Sequence, residues 1–223
     1  MFAVAVAAAM GVAAHGGLAW AGDVPPDAGT LLFEEPQLDN THPGDVLTYA
    51  YSRQTADDAV LGPSFSDRIR LSITPGSRAE TRTVAVELFT GEHRRAAGPF
   101  EDMTGNPMVS LFLENHIGLL STQLHVNPRY LKNAIRGSLR DKATVEAGTV
   151  EAGGRSLPGW HVRITPFKDD PNKDRMLGLD AMTYDFSVTK EIPGEVVEIH
   201  VLADNGQGAS LLDEKIVYDA KAD

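Results

Sequence analysis

Three stretches in the first half of the chain alternate apolar and polar positions with a period of two. Residues 46–53 place Leu47, Tyr49 and Tyr51 on one face. Residues 65–74 set Ile69, Leu71 and Ile73 against Arg68, Arg70 and Ser72, and residues 81–89 set Val84, Val86 and Leu88 against Thr83, Ala85 and Glu87. Successive side chains of an extended strand point to opposite faces, so this alternation predicts half-buried strands of an antiparallel sheet. Pro75-Gly76 and Gly91 supply turns. The pattern returns later in the chain. Trp160, Val162 and Ile164 share one face, as do Met182, Tyr184, Phe186 and Val188, and then Val197, Ile199 and Val201. Asp204-Asn205-Gly206 is a hairpin signal because the favoured tight turn needs positive φ at its centre. Residues 209–220 form a closing strand.

Between these groups, residues 104–141 lose the period of two and predict two helices. Each starts at an Asn-Pro pair, Asn106-Pro107 and Asn127-Pro128. The asparagine offers a capping acceptor, and proline loses nothing at a first helical position, where its N–H would be unpaired anyway. With about 100° per residue, the first helix has a narrow polar strip of Ser110, Glu114, Gly118 and Ser121. Met108, Val109, Leu111, Phe112, Leu113, Ile117, Leu119 and Leu120 cover most of the rest, and His116 falls inside the apolar arc. The second helix divides cleanly. Tyr130, Leu131, Ala134, Ile135 and Leu139 take one side, and Arg129, Lys132, Arg136 and Arg140 the other. Such a basic face suits an anionic headgroup or an acidic partner; a merely solvated outer face is the plainer reading.

Strands, two helices and strands again predict an α+β fold. Its expected form is a curved, half-barrel-like antiparallel sheet with two helices inserted between strand groups and packed on one face. Residues 45–223 read as one domain, preceded by an irregular Pro- and Asp-rich arm over 22–44. Residues 1–21 contain no charged side chain and end in Ala19-Trp20-Ala21. A small-x-small site behind an apolar run predicts an export signal cleaved near Ala21. The basic n-region is absent, since the first Lys or Arg is Arg53, so the signal is expected to begin upstream of Met1. No later run suffices to span a bilayer. Cysteine is absent, which removes disulfides and a lipid-modified cysteine; a soluble periplasmic protein is expected. The net charge of −11 argues against nucleic acid as a partner. Basic residues nevertheless outnumber acids between 68 and 140.

Signatures of catalysis are missing: no G-x-S-x-G elbow, H-E-x-x-H pair or phosphate-binding loop occurs. No catalytic residue, metal ligand set or cofactor is assigned. Glu114 and His116 are two apart on a helix and point to different faces. His116 reads as a satisfied core histidine before a catalytic one, and a meeting of His161 with His200 across the sheet is a weak alternative. Asp170, Asn172 and Asp174 have the alternate spacing of a calcium loop but lack its central glycine and terminal glutamate, so a solvated turn is expected.

The run His161-Val162-Arg163-Ile164-Thr165-Pro166, then Val196-Val197-Glu198-Ile199-His200-Val201, then Asp204-Asn205-Gly206-Gln207 resembles the C-terminal part of the periplasmic lipoprotein carrier (LolA-like) superfamily. The resemblance implies a curved half-barrel with helices across its open side and lipid chains in the apolar cavity between. The carriers begin with an amphipathic helix instead of a Pro-rich arm, and their lid arginine has no match here. The segment from Gly105 through Tyr130–Arg136 also resembles a family of exported bacterial proteins, which implies no activity.

The resulting expectation is a periplasmic binding or carrier protein for an apolar, lipid-like ligand. Met108, Phe112, Leu113 and His116 would line the cavity with Tyr49, Trp160, Tyr184 and Phe186. Arg129, Lys132, Arg136 and Arg140 would meet a headgroup or an envelope protein. The alternative is a non-enzymatic envelope interaction module with a closed core.

Overall fold

The computed structural model describes residues 25–221; the expected export signal lies outside them. Nine strands form one open, curved sheet: β1 (Val46–Thr55), β2 (Phe65–Pro75), β3 (Arg82–Leu88), β4 (Arg95–Met103), β5 (Thr144–Ala152), β6 (Arg155–Ile164), β7 (Thr183–Val188), β8 (Val196–Asp204) and β9 (Ser210–Tyr218). Their spatial order is β4-β3-β2-β1-β9-β8-β7-β6-β5, and every pairing is antiparallel. The chain is thus two meanders joined where β1 meets β9. Its edge strands, β4 and β5, are consecutive along the chain. The helices α2 (Met108–Leu124) and α3 (Pro128–Asp141) link them, which carries both helices across the sheet from one edge to the other. A single turn, α1 (Asp58–Leu61), sits between β1 and β2.

The alternation read from the sequence appears as burial. Leu47, Tyr49, Tyr51, Ile69, Leu71, Ile73, Val84 and Val86 are each at most 3% exposed, as are Val162, Ile164, Tyr184, Phe186, Ile199 and Val201. They join Met108, Val109, Phe112, Ile117 and Leu120 of α2, and Leu131 and Ile135 of α3, in one core. Fully burying a side chain of this kind is worth about 1.5–3 kcal/mol, so the oily circumference of α2 is explained by burial on its sheet side and partial cover elsewhere. Val197 departs from the expected face. A bulge opposite Ser187–Val188 inserts an extra residue, and Val197 packs with Val150, Ala152 and Ile192 in a small second cluster.

Both asparagine caps form. The Oδ1 of Asn106 accepts from the Met108 N–H at 3.0 Å, and the Oδ1 of Asn127 from the Arg129 N–H at 2.9 Å. Asn106 also ties three segments together. Its Nδ2 donates to the Tyr49 hydroxyl and to the Gly194 carbonyl, and its own N–H donates to Gln37 Oε1. Gly194, at φ +75°, allows that approach; a Cβ there would stand 2.5 Å from Leu47 Cδ1. The 205–209 hairpin is longer than a two-residue turn, with Asp204 paired to Ser210 and the Asn205 N–H donating to the Ala209 carbonyl. The arm expected as irregular carries one wide helical turn, Thr30–Glu34, which buries Leu31 and Leu32.

Candidate functional site

The most polar part of the interior was not foreseen. Arg53 on β1 and Glu214 on β9 are direct cross-strand partners and stand at 2% and 0% exposure in the core. Arg53 Nη1 donates to Glu214 Oε2 at 2.7 Å, and its Nη2 donates to the Leu61 carbonyl at 2.8 Å. The Tyr51 hydroxyl donates to Glu214 Oε1 at 2.7 Å. From α2, His116 places Nδ1 2.7 Å from Glu214 Oε2 and Nε2 3.0 Å from the Tyr184 hydroxyl. With its proton on Nδ1, His116 donates to the carboxylate and accepts from the phenol, so both ring nitrogens are satisfied; this tautomer follows from the network. Burial alone would raise the Glu214 carboxyl, but His116, Arg53 and Tyr51 outweigh it and hold the group below the ordinary carboxylate range. Burial, then the adjacent Glu214 charge, push the Tyr184 and Tyr51 phenols up. Removing one partner of such a buried pair strands the other charge in the core.

His116 is therefore a satisfied core histidine, flanked by Phe112 at 5.6 Å and Tyr184 at 5.4 Å between ring centroids. Tyr49, Met108, Phe112, Tyr184 and Phe186 are buried in the same core, Leu113 is 8% exposed, and half-buried Trp160 packs against it. The structure brings the expected cavity-lining residues together in one core cluster.

A groove opens on the outer side of α2. Leu113 and Ile117 of α2 and Ile135 and Leu139 of α3 form its apolar floor. The N-terminal turn supplies a third wall through Gly29, Phe33 and Glu34, and the volume is about 420 Å³. That falls within the span of about 300–1,000 Å³ usual for small-ligand sites. Phe33 overhangs it, 41% exposed. Lys132, Arg136 and Arg140 stand on its rim opposite Asp27, Glu34 and Glu114. Lys132 pairs with Glu114, and Arg140 with Asp141, whereas Arg136 has no carboxylate partner among the described residues. Asp27 is occupied in capping the Gly29 and Thr30 N–H groups. Four of the residues expected to touch ligand or headgroup thus meet here: Leu113, Lys132, Arg136 and Arg140. Arg129, exposed near the start of α3, is not part of the groove wall.

The calcium-like loop is built around other partners. Both Asp170 carboxylate oxygens accept from the Tyr130 hydroxyl, and its Oδ1 accepts from the Asn172 N–H. His161 and His200 lie on the outer sheet face, bonded to Ser187 and the Thr149 carbonyl and to Asp213 respectively. Among the described residues, no helix is long and apolar enough to cross a membrane.

Fold and site together define an open antiparallel sheet with a helical cover and an amphipathic outer groove. No family model and no curated protein matches the chain. Among solved structures it is similar to the lipoprotein LppX of Mycobacterium tuberculosis, with 12% identity, 84% of this chain and 93% of that chain covered, and a TM-score of 0.32. A superposition this loose lends no weight to any reading of ligand or activity.

Proposed function

We propose that this is an exported, periplasmic binding or carrier protein for a lipid-like amphiphile, seated in the outer groove between the N-terminal turn, α2 and α3. The groove carries the reading: an apolar floor of Leu113, Ile117, Ile135 and Leu139 lies under a rim with one uncommitted cation, Arg136. The hydrocarbon would cover the floor and Phe33, and an anionic headgroup would meet Arg136 with Arg140. Export rests on the uncharged Ala- and Val-rich leader ending in Ala19-Trp20-Ala21.

Native mass spectrometry of gently purified protein tests this: a co-purified amphiphile is expected, displaced by a long-chain fatty acid. A clean apo mass that stays unchanged on adding fatty acid would sink it. The exposed Arg129, Arg136 and Arg140 of α3 favour a second reading, an envelope interaction module whose basic α3 face meets an acidic protein. That reading predicts a protein partner lost when Arg129, Arg136 and Arg140 are reversed in charge, with no lipid retained.

A further inference from the structure

A second crevice lies on the opposite flank of α2, away from the groove. It is bounded by Phe65 of β2, by Phe89 and His93 after β3, by Arg95 of β4 and by Asn115, Leu119 and Gln123 of α2, and its volume is about 350 Å³. Three observations on it are independent of one another.

Its wall is aromatic. Phe65 stacks on His93 at 4.9 Å with 29° between planes, meets Phe89 edge-on at 5.4 Å, and packs on Tyr51 at 5.1 Å. Its backbone is strained there, because Phe89 holds φ at +63°. A bulky residue in the left-handed region is an outlier, and such outliers gather at binding sites. The strain is held from outside by Asp67, whose Oδ1 accepts from both the N–H and hydroxyl of Thr90.

Its rim carries a cation. Arg53 lines the crevice, so this is where the buried ionic network meets an opening. Arg53 commits its guanidinium to Glu214 and the Leu61 carbonyl and is 2% exposed, so the charge open to a ligand is that of Arg95. Arg95 lies over the Phe89 ring at 5.8 Å and is oriented by Asn115 Oδ1 at 2.9 Å. Glu92 is the one carboxylate on the lining, exposed at the mouth beside His93.

We propose that this crevice is a binding site for a small aromatic carboxylate, its ring packed against the aromatic wall beside Phe65 and its carboxylate on Arg95. A planar ring matches the stacked wall, and a planar carboxylate matches an arginine fork. The site does not depend on the outer groove.

Benzoate and benzyl alcohol titrated into the isotope-labelled, folded protein distinguish the idea from simple apolar uptake. Benzoate is expected to shift the amide signals of Phe89, His93, Asn115 and Leu119 and to bind about tenfold tighter than the alcohol, a charge-assisted gain. Arg95→Gln, at the rim and clear of the core, is expected to abolish that preference while the unliganded spectrum stays folded. Benzoate shifts confined to the α3 groove, no shifts at all, or equal affinity for acid and alcohol would each overturn it.

Discussion

The two sides of α2 carry charge in opposite ways. Toward the sheet, His116 meets Glu214 and Tyr184 where every member is nearly inaccessible and each has a hydrogen-bonding partner. Away from the sheet, Glu114 and Lys132 pair at the surface over an apolar floor, with Arg136 left over. A buried charge is tolerated only when fully paired, so the inner side is locked into one arrangement. A surface charge costs little when unpaired, so the outer side has valence to spare for a ligand. One helix therefore serves as a structural wedge on one face and as a receptor wall on the other.

Removing Glu214 should break this contrast hardest. Glu214→Ala strands Arg53 in the core and is expected to cost about 3–5 kcal/mol, read from the midpoint of urea denaturation. A loss below 1 kcal/mol would mean the cluster is not the anchor described. On the outer face, Phe33→Asp should leave stability nearly unchanged but weaken fatty-acid binding, by about 1.5–3 kcal/mol if the ring is fully covered by ligand; calorimetric titration checks it. Equal affinity in the variant would remove Phe33 from the site.

Acid gives a finer test. The Glu214 carboxyl is depressed in the folded state, so its contribution is present above its ordinary value of 4.5 and is lost as pH falls through the folded value. Stability followed from pH 6 downward should fall more steeply in the native protein than in Glu214→Gln; parallel curves would contradict the assignment. The smallest effect is expected for Lys132→Ala, at most about 1 kcal/mol and reduced by salt, because its pair with Glu114 is solvent-exposed. A larger, salt-independent loss would place that pair with the inner cluster instead.

Much of the sheet was legible because one face of each central strand is buried, and burial writes a period of two. The edge strands were not. β4 reads RAAGPFEDM with no buried residue, and β5 reads TVEAGTVEA with burial only at Val150 and Ala152. With little to cover, their sequences need not alternate. The helix starts were legible because Asn-Pro has a specific job at a first turn. Arg53 and Glu214 were missed, although each carried a signal. Arg53 continues the inward series Leu47, Tyr49, Tyr51, and Glu214 interrupts Leu212 and Ile216. Their partnership depended on β1 pairing with β9, which local pattern does not reveal. The outer groove was equally invisible, since its floor and rim come from three segments that meet only in the fold.

The pairing of β1 with β9 also governs how the chain can become a folded molecule. Arg53 and Glu214 are 161 positions apart, so the contact that seals the middle of the sheet is among the last to become available during synthesis. Contacts of such separation slow folding, because the chain's closure entropy must be met before they form. Until β9 emerges, β1 has an open edge and Arg53 lacks its carboxylate.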